Sequence, residues 1–225
     1  MIKPSDYEER GWDLKTCFLG DSTLGFEIFE KLKKHELVAG ESADGTRNLL
    51  FSIILSTRPK RVLEIGSHIG SASVVIGTAL KSNKYGLAYH LEPQDHYFEA
   101  LSNVINEADL QDYSIPLQKY STDPDLNKII GNEIDLIFLD ANHSYSYAVK
   151  DLEISTKLLA NNGLILIDDV GNPRSGNIDQ ENKGGVRQAL NDFISENDEY
   201  TAIFFDYPFW LNPCGLAILS KKPLN

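Results

Sequence analysis

A chain of 225 residues is long enough for one sizeable α/β domain built round a single hydrophobic core. Its 42% apolar content, with 10 Tyr and 10 Phe, excludes a disordered chain. A formal net charge of −12 disfavours binding to phosphate backbones or anionic lipid, which is led by clustered Lys and Arg, so neither nucleic acid nor membrane is an expected partner. Cys17 and Cys214 are far apart and lie in no CxxC spacing, which predicts two free thiols. The amino terminus MIKPSDYEERGWD has no apolar targeting segment, and no stretch approaches the roughly 18 apolar residues of a membrane span. The expected location is cytoplasmic.

In chain order, residues 23–36 read as a helix, with Asp21 and Ser22 as cap candidates and Leu24, Ile28, Phe29 and Leu32 on one stripe. A loop over 40–45 leads to a second helix over 46–56, closed by Pro59. Residues 1–58 are therefore expected as a helical extension and candidate lid, ahead of a domain over 59–225. Short apolar runs suited to buried parallel strands follow at 61–65, 86–92, 114–120, 134–140 and 163–169. The helix predicted over 144–159 places Tyr145, Ala148, Val149, Leu152 and Leu159 on one face, with Lys150, Asp151 and Glu153 mostly off it. A polar loop over 171–184 precedes a helix around 186–194 and two strands, TAIFFDY and GLAILS, that suit an antiparallel hairpin. The pattern predicts a Rossmann-like, doubly wound, seven-stranded α/β sheet, mostly parallel with its last strand antiparallel.

Such sheets bind ligands at the carboxyl ends of their strands. The first strand runs into VLEIGSHIGSAS, where Gly66 and Gly70 let backbone approach a ligand; the alternative is a plain strand-to-helix turn. A dinucleotide loop needs GxGxxG, yet His68 and Ser71 occupy the later glycine positions, which argues against a nicotinamide or flavin dinucleotide. Glu64 puts a carboxylate under the loop, suited to orienting amides or an amino-acid ammonium. The second strand ends in His90-Leu91-Glu92-Pro93, placing an acid where it can accept both hydroxyls of a ribose. The fourth gives IDLIFLDANHSYSYAVKDLE, and the fifth ends in Asp168-Asp169.

The ExGxxxG form over 64–70 resembles motif I of class I S-adenosylmethionine-dependent methyltransferases of the catechol O-methyltransferase type. The DANHSY string resembles DGDHSY in bacterial metal-dependent small-molecule O-methyltransferases of macrolide and aminocoumarin tailoring, with cephalosporin hydroxylase-like relatives. The resemblance extends over 61–220 and includes GVRQALNDF. It implies S-adenosylmethionine bound by Glu64, Gly66, Ser67, His68, Gly70, Ser71, Glu92, Ser121 and Asp140. It also implies Mg²⁺ held by Asp140, Asp168 and Asp169, though aspartates at strand ends also serve as helix caps. The acceptor it implies is a hydroxyl of a small molecule, a sugar or natural product. Asn142 replaces an acid of the group's pattern and cannot take a proton, which leaves His143 as candidate base. At the adenine position the chain offers Tyr120 and Ser121, with Asp123 slightly later. Tyr207, Phe209 and Trp210 are read as core packing, with acceptor contact as the alternative. Rival functions are an S-adenosylmethionine-binding protein without methyl transfer and, disfavoured by the missing glycines, a nucleotide-linked oxidoreductase. Assembly into a homo-oligomer stays open.

Overall fold

The structure, a computed structural model, describes residues 28, 31–32, 34–38, 42–207, 209–210 and 212–223. Helix α1 (Asp44–Thr57) ends where Arg58 turns left-handed, because Pro59 disfavours helical backbone at the residue before it. The alternating unit follows as β1 (Arg61–Ile65), α2 (Ser71–Asn83), β2 (Leu87–Leu91), α3 (Asp95–Glu107), β3 (Ser114–Leu117) and α4 (Leu126–Ile130). It continues through β4 (Ile134–Leu139), α5 (Tyr145–Leu158), β5 (Leu159–Asp168), α6 (Arg174–Ile178), α7 (Gly185–Glu196), β6 (Tyr200–Phe205) and β7 (Leu216–Lys221). The seven strands lie in the order β3-β2-β1-β4-β5-β7-β6, with β7 antiparallel to both its neighbours.

Successive residues of the central strands enter opposite cores, which is why these strands are apolar throughout. Leu63, Ile137 and Ile165 pack with α5 and α7, whereas Val62, Leu136, Phe138 and Leu166 pack with α1 and α2. Leu50 and Ile54, four residues apart on α1, are fully buried in that second core, so residues 44–57 share the core of the sheet. Ile28, Lys31 and Leu32 are helical, and Ile28 and Leu32 pack against Val74, Leu101 and Ile105. The remainder of the helix expected over 23–36, its cap candidates and Cys17 fall outside the described residues. No described helix is long and apolar enough to cross a membrane.

One short helix departs from the sequence expectation: the 171–184 loop contains α6. The loop is tied down by Asp179, whose carboxylate accepts the backbone N–H groups of Tyr145, Glu181, Lys183 and Gly185 at 2.6–3.2 Å. It thereby joins the amino ends of α5 and α7. Burial opposes the charge, but these four donors outweigh it and hold the Asp179 carboxyl below its usual range. A depressed pKa makes the stabilisation present above about pH 4 and lost as pH falls through the folded value. Asp179→Ala should cost about 2–3 kcal/mol at pH 7, with the gap to wild type shrinking in acid; equal melting temperatures at pH 7 would remove this role.

Candidate active site

The order reversal between β1 and β4 opens a crevice at the strands' carboxyl ends. There a cavity of about 490 Å³ is lined from five sides: the loop after β1, the end of β2 with the start of α3, the turn after β3, the turn after β4, and α5. Glu64, Gly66, Ser67, His68, Ser71, Glu92, Ser121, Asp140 and His143 all line it, together with Tyr97, Tyr147 and Asp151.

The β1 loop is held by backbone bonds from Gly66 and Ser67 N–H to Leu91 O at 3.2 and 3.0 Å, and from Gly70 N–H to Ser67 O at 2.8 Å. Gly66 has φ +91°, and a Cβ there would lie 2.2 Å from the Asp140 carbonyl oxygen and 2.6 Å from Ala141 Cα. Gly70, the residue before α2, has φ +95° and does not line the cavity; its Cβ would meet Val104 at 2.6 Å. Protein packing alone thus requires both glycines, and only Gly66 also lines the cavity.

Glu64 is buried beneath this loop. Its Oε2 accepts the hydroxyls of Ser67 and Ser73 at 2.9 and 2.5 Å and stands 2.6 Å from His90 Nδ1, while its buried Oε1 has no hydrogen-bond partner among the described residues. Glu92 accepts His68 N–H on Oε2 and Gln94 N–H on Oε1, each at 2.9 Å. A carboxylate offers about four lone-pair positions, so both oxygens can still accept from a ligand. Burial raises the Glu92 pKa against these bonds. The His68 ring packs on Tyr97 at 4.1 Å between centroids.

At the other wall, Ser121 donates to Asp151 Oδ1 at 2.5 Å, linking the turn after β3 to α5. Asp151 is 9% exposed, which corrects its expected place off the buried face of that helix. Apolar periodicity marks the face of a helix that packs on the sheet, and a carboxylate facing a polar cavity beside that stripe carries no such mark.

The fourth and fifth strands deliver a second cluster. One donor atom each of Asp140, His143 and Asp169 lies within 4.8 Å of the others, with His143 Nε2 2.8 Å from Asp169 Oδ2 and 3.9 Å from Asp140 Oδ1. Asp168 stands outside this group: its Oδ1 accepts Asp169 N–H at 3.1 Å and lies 3.5 Å from the Thr46 hydroxyl. Burial first, then the neighbouring aspartates, push Asp168 and Asp140 above the ordinary carboxyl range. Burial opposes a charge on His143, but its bonds to Asp140 and Asp169 outweigh that and push the imidazole up to about 10. Asn142 is spent locally, its Oδ1 accepting Ser144 N–H at 2.9 Å before α5.

Tyr207 and Phe209 are largely exposed, against the core-packing expectation, whereas Trp210 lies over Gly45 and beside Phe205. Phe205 pairs with Leu216, and Leu216 with Asp168, so the loop carrying these rings leaves the same sheet edge as the acidic cluster. Cys214 is a free thiol in that loop.

Residues 63–170 match the sequence profile described as a methyltransferase domain. The chain carries a methyltransferase domain across that span. Among curated proteins none matches the sequence. Solved structures share the fold of this chain over nearly its whole length. An O-methyltransferase from Bacillus cereus in complex with S-adenosylhomocysteine is 20% identical with a TM-score of 0.75, covering 92% of this chain and 94% of that one. TomG from Streptomyces achromogenes, an O-methyltransferase involved in tomaymycin synthesis and bound to S-adenosylmethionine, is 15% identical with a TM-score of 0.79, covering 99% and 100%. The S-adenosylhomocysteine-bound methyltransferase PaMTH1 from Podospora anserina is 19% identical with a TM-score of 0.73, covering 99% and 98%.

Proposed function

We propose that this methyltransferase transfers the methyl of S-adenosylmethionine to a hydroxyl of a small molecule, a sugar or natural product. The observation that carries the reading is one cavity with two buried carboxylates holding spare acceptor capacity, Glu64 through its unpartnered Oε1 and Glu92 through both oxygens. An amino-acid ammonium and a ribose diol are donors of that kind. The strand order β3-β2-β1 supports one direction: the amino-acid arm at Glu64 with Asp140, the ribose at Glu92, and adenine toward Ser121 and Asp151 at the end of β3. Ser67, His68 and Ser71 contribute the loop and the amino end of α2, whose dipole suits the arm's carboxylate.

Toward β5 the cavity meets Asp140, His143 and Asp169, and here the acceptor hydroxyl is placed. The donor set fits a divalent cation on a property of the protein itself, since Asp169 Oδ1 is buried with no hydrogen-bond partner among the described residues, its ion-pair contact being Arg174 Nε at 3.6 Å. Asp140 and Asp169 would hold it, with His143 beside them as the base and not as a ligand. Oxygen donors suit Mg²⁺, which when bound polarises and orients a hydroxyl. Flanked by these two carboxylates, His143 holds its proton at neutral pH. Engagement of those carboxylates returns the imidazole toward its ordinary range, where Nε2 can take the hydroxyl proton.

Titration calorimetry with S-adenosylhomocysteine tests the cofactor reading. Glu92→Ala removes a charge-assisted acceptor and should weaken binding by roughly 1.5–3 kcal/mol. An unchanged dissociation constant would take Glu92 out of the site, and saturable binding of a nicotinamide dinucleotide instead would favour the oxidoreductase. A binding-only role gains nothing from Asn142, whose side chain is occupied in the turn before α5.

A further inference from the structure

His90 sits on β2 directly beside Glu64 on β1 and is fully buried. Its Nδ1 faces Glu64 Oε2 at 2.6 Å, while its Nε2 is buried with no hydrogen-bond partner among the described residues. With no acceptor for a proton on Nε2 among the described residues, the proton facing Glu64 is assigned to Nδ1, which donates to Oε2. Donors from the β1 loop, from α2 and from β2 thus converge on one oxygen, which fixes the carboxylate plane and leaves Oε1 as the atom without a partner among the described residues.

We propose that His90 is a positioning residue for the cofactor's amino-acid arm: it holds Glu64 oriented so that Oε1 receives the ammonium. This rests on the reading of the cavity as an S-adenosylmethionine site. It assigns His90 no contact with the reacting atoms.

The test compares two ligands by calorimetry on the full chain. S-adenosylhomocysteine carries the amino-acid arm, and 5′-methylthioadenosine has the same nucleoside and a thioether without it. In His90→Leu, affinity for S-adenosylhomocysteine should fall about tenfold while that for 5′-methylthioadenosine stays within about twofold of wild type. His90→Asn puts an amide N–H close to the position of Nδ1 and should restore S-adenosylhomocysteine affinity to within about threefold. Parallel losses for both ligands would mark a packing role and overturn the proposal, as would unchanged S-adenosylhomocysteine binding in the Leu variant. If the Leu variant gives no folded protein, His90→Gln replaces it, since its longer side chain carries the donor past Oε2. Equal discrimination between the two ligands in the Asn and Gln variants would then overturn the proposal. Failure of the wild type to bind either ligand would instead defeat the cofactor reading.

Discussion

His143→Gln is expected to lower turnover by about 10²–10⁴-fold, the share usually supplied by a general base, with S-adenosylhomocysteine affinity unchanged. The geometry behind this is the placement of Nε2 between Asp169 at 2.8 Å and Asp140 at 3.9 Å, on a cavity wall, one residue before the Ser144 turn that starts α5. Gln preserves a polar side chain able to donate to Asp169 but cannot accept a proton at any working pH. Three measurements on the purified variant separate the alternatives. Lost rate with intact affinity and melting temperature is the expected result. Affinity falling with rate would make His143 a cofactor contact, and full turnover would leave it no catalytic role. The cation-free protein gives a further check on the ion pair. A histidine pKa raised on folding stabilises fully below about pH 6.5 and loses that contribution as pH rises through its folded value of about 10. Any thermal destabilisation of the Gln variant that comes from the ion pair should therefore be present at pH 7 and disappear above that value.

What the sequence reveals of this site depends on how local each cause is. The strand ends are legible because a parallel strand buried on both faces is a short apolar run, and its polar terminus marks the sheet edge: Glu64, Glu92, Asp140 and Asp168 stand at or beside the ends of β1, β2, β4 and β5. The reasons for Gly66 and Gly70 are not legible, since the atoms that forbid a Cβ come from Asp140, 74 residues on, and from Val104 on α3. Asp151 and His90 escape notice for a related cause. Each looks unremarkable in its own element, the one beside a helical stripe and the other inside a strand. Each gains its meaning from a partner across the fold, Ser121 and Glu64. Likewise the acidic pair closing β5 reads as two equivalent ligands, whereas the chain turns at Asp169 (φ 58°), and only Asp169 joins the cluster with Asp140 and His143.

That division within the pair gives the cation prediction its form. Methyl transfer should fall to background after prolonged chelation and return on adding Mg²⁺, because two buried like charges and a protonated imidazole leave neither a polarised hydroxyl nor a free base. A readout independent of turnover comes from linkage. A cation that binds only the folded chain raises its stability by about 2.7 kcal/mol at a hundred times its dissociation constant, seen as a saturable rise in melting temperature. Asp169→Asn should abolish that rise, because it removes a charge at the centre of the cluster. Asp168→Asn should retain it in large part, since that carboxylate already accepts Asp169 N–H and faces Thr46. Equal losses in the two variants would restore the pair as joint ligands. Activity that survives chelation, with no thermal shift at any Mg²⁺ concentration, would leave the Asp140, His143 and Asp169 cluster as an ion-pair network that orients the imidazole and binds no metal.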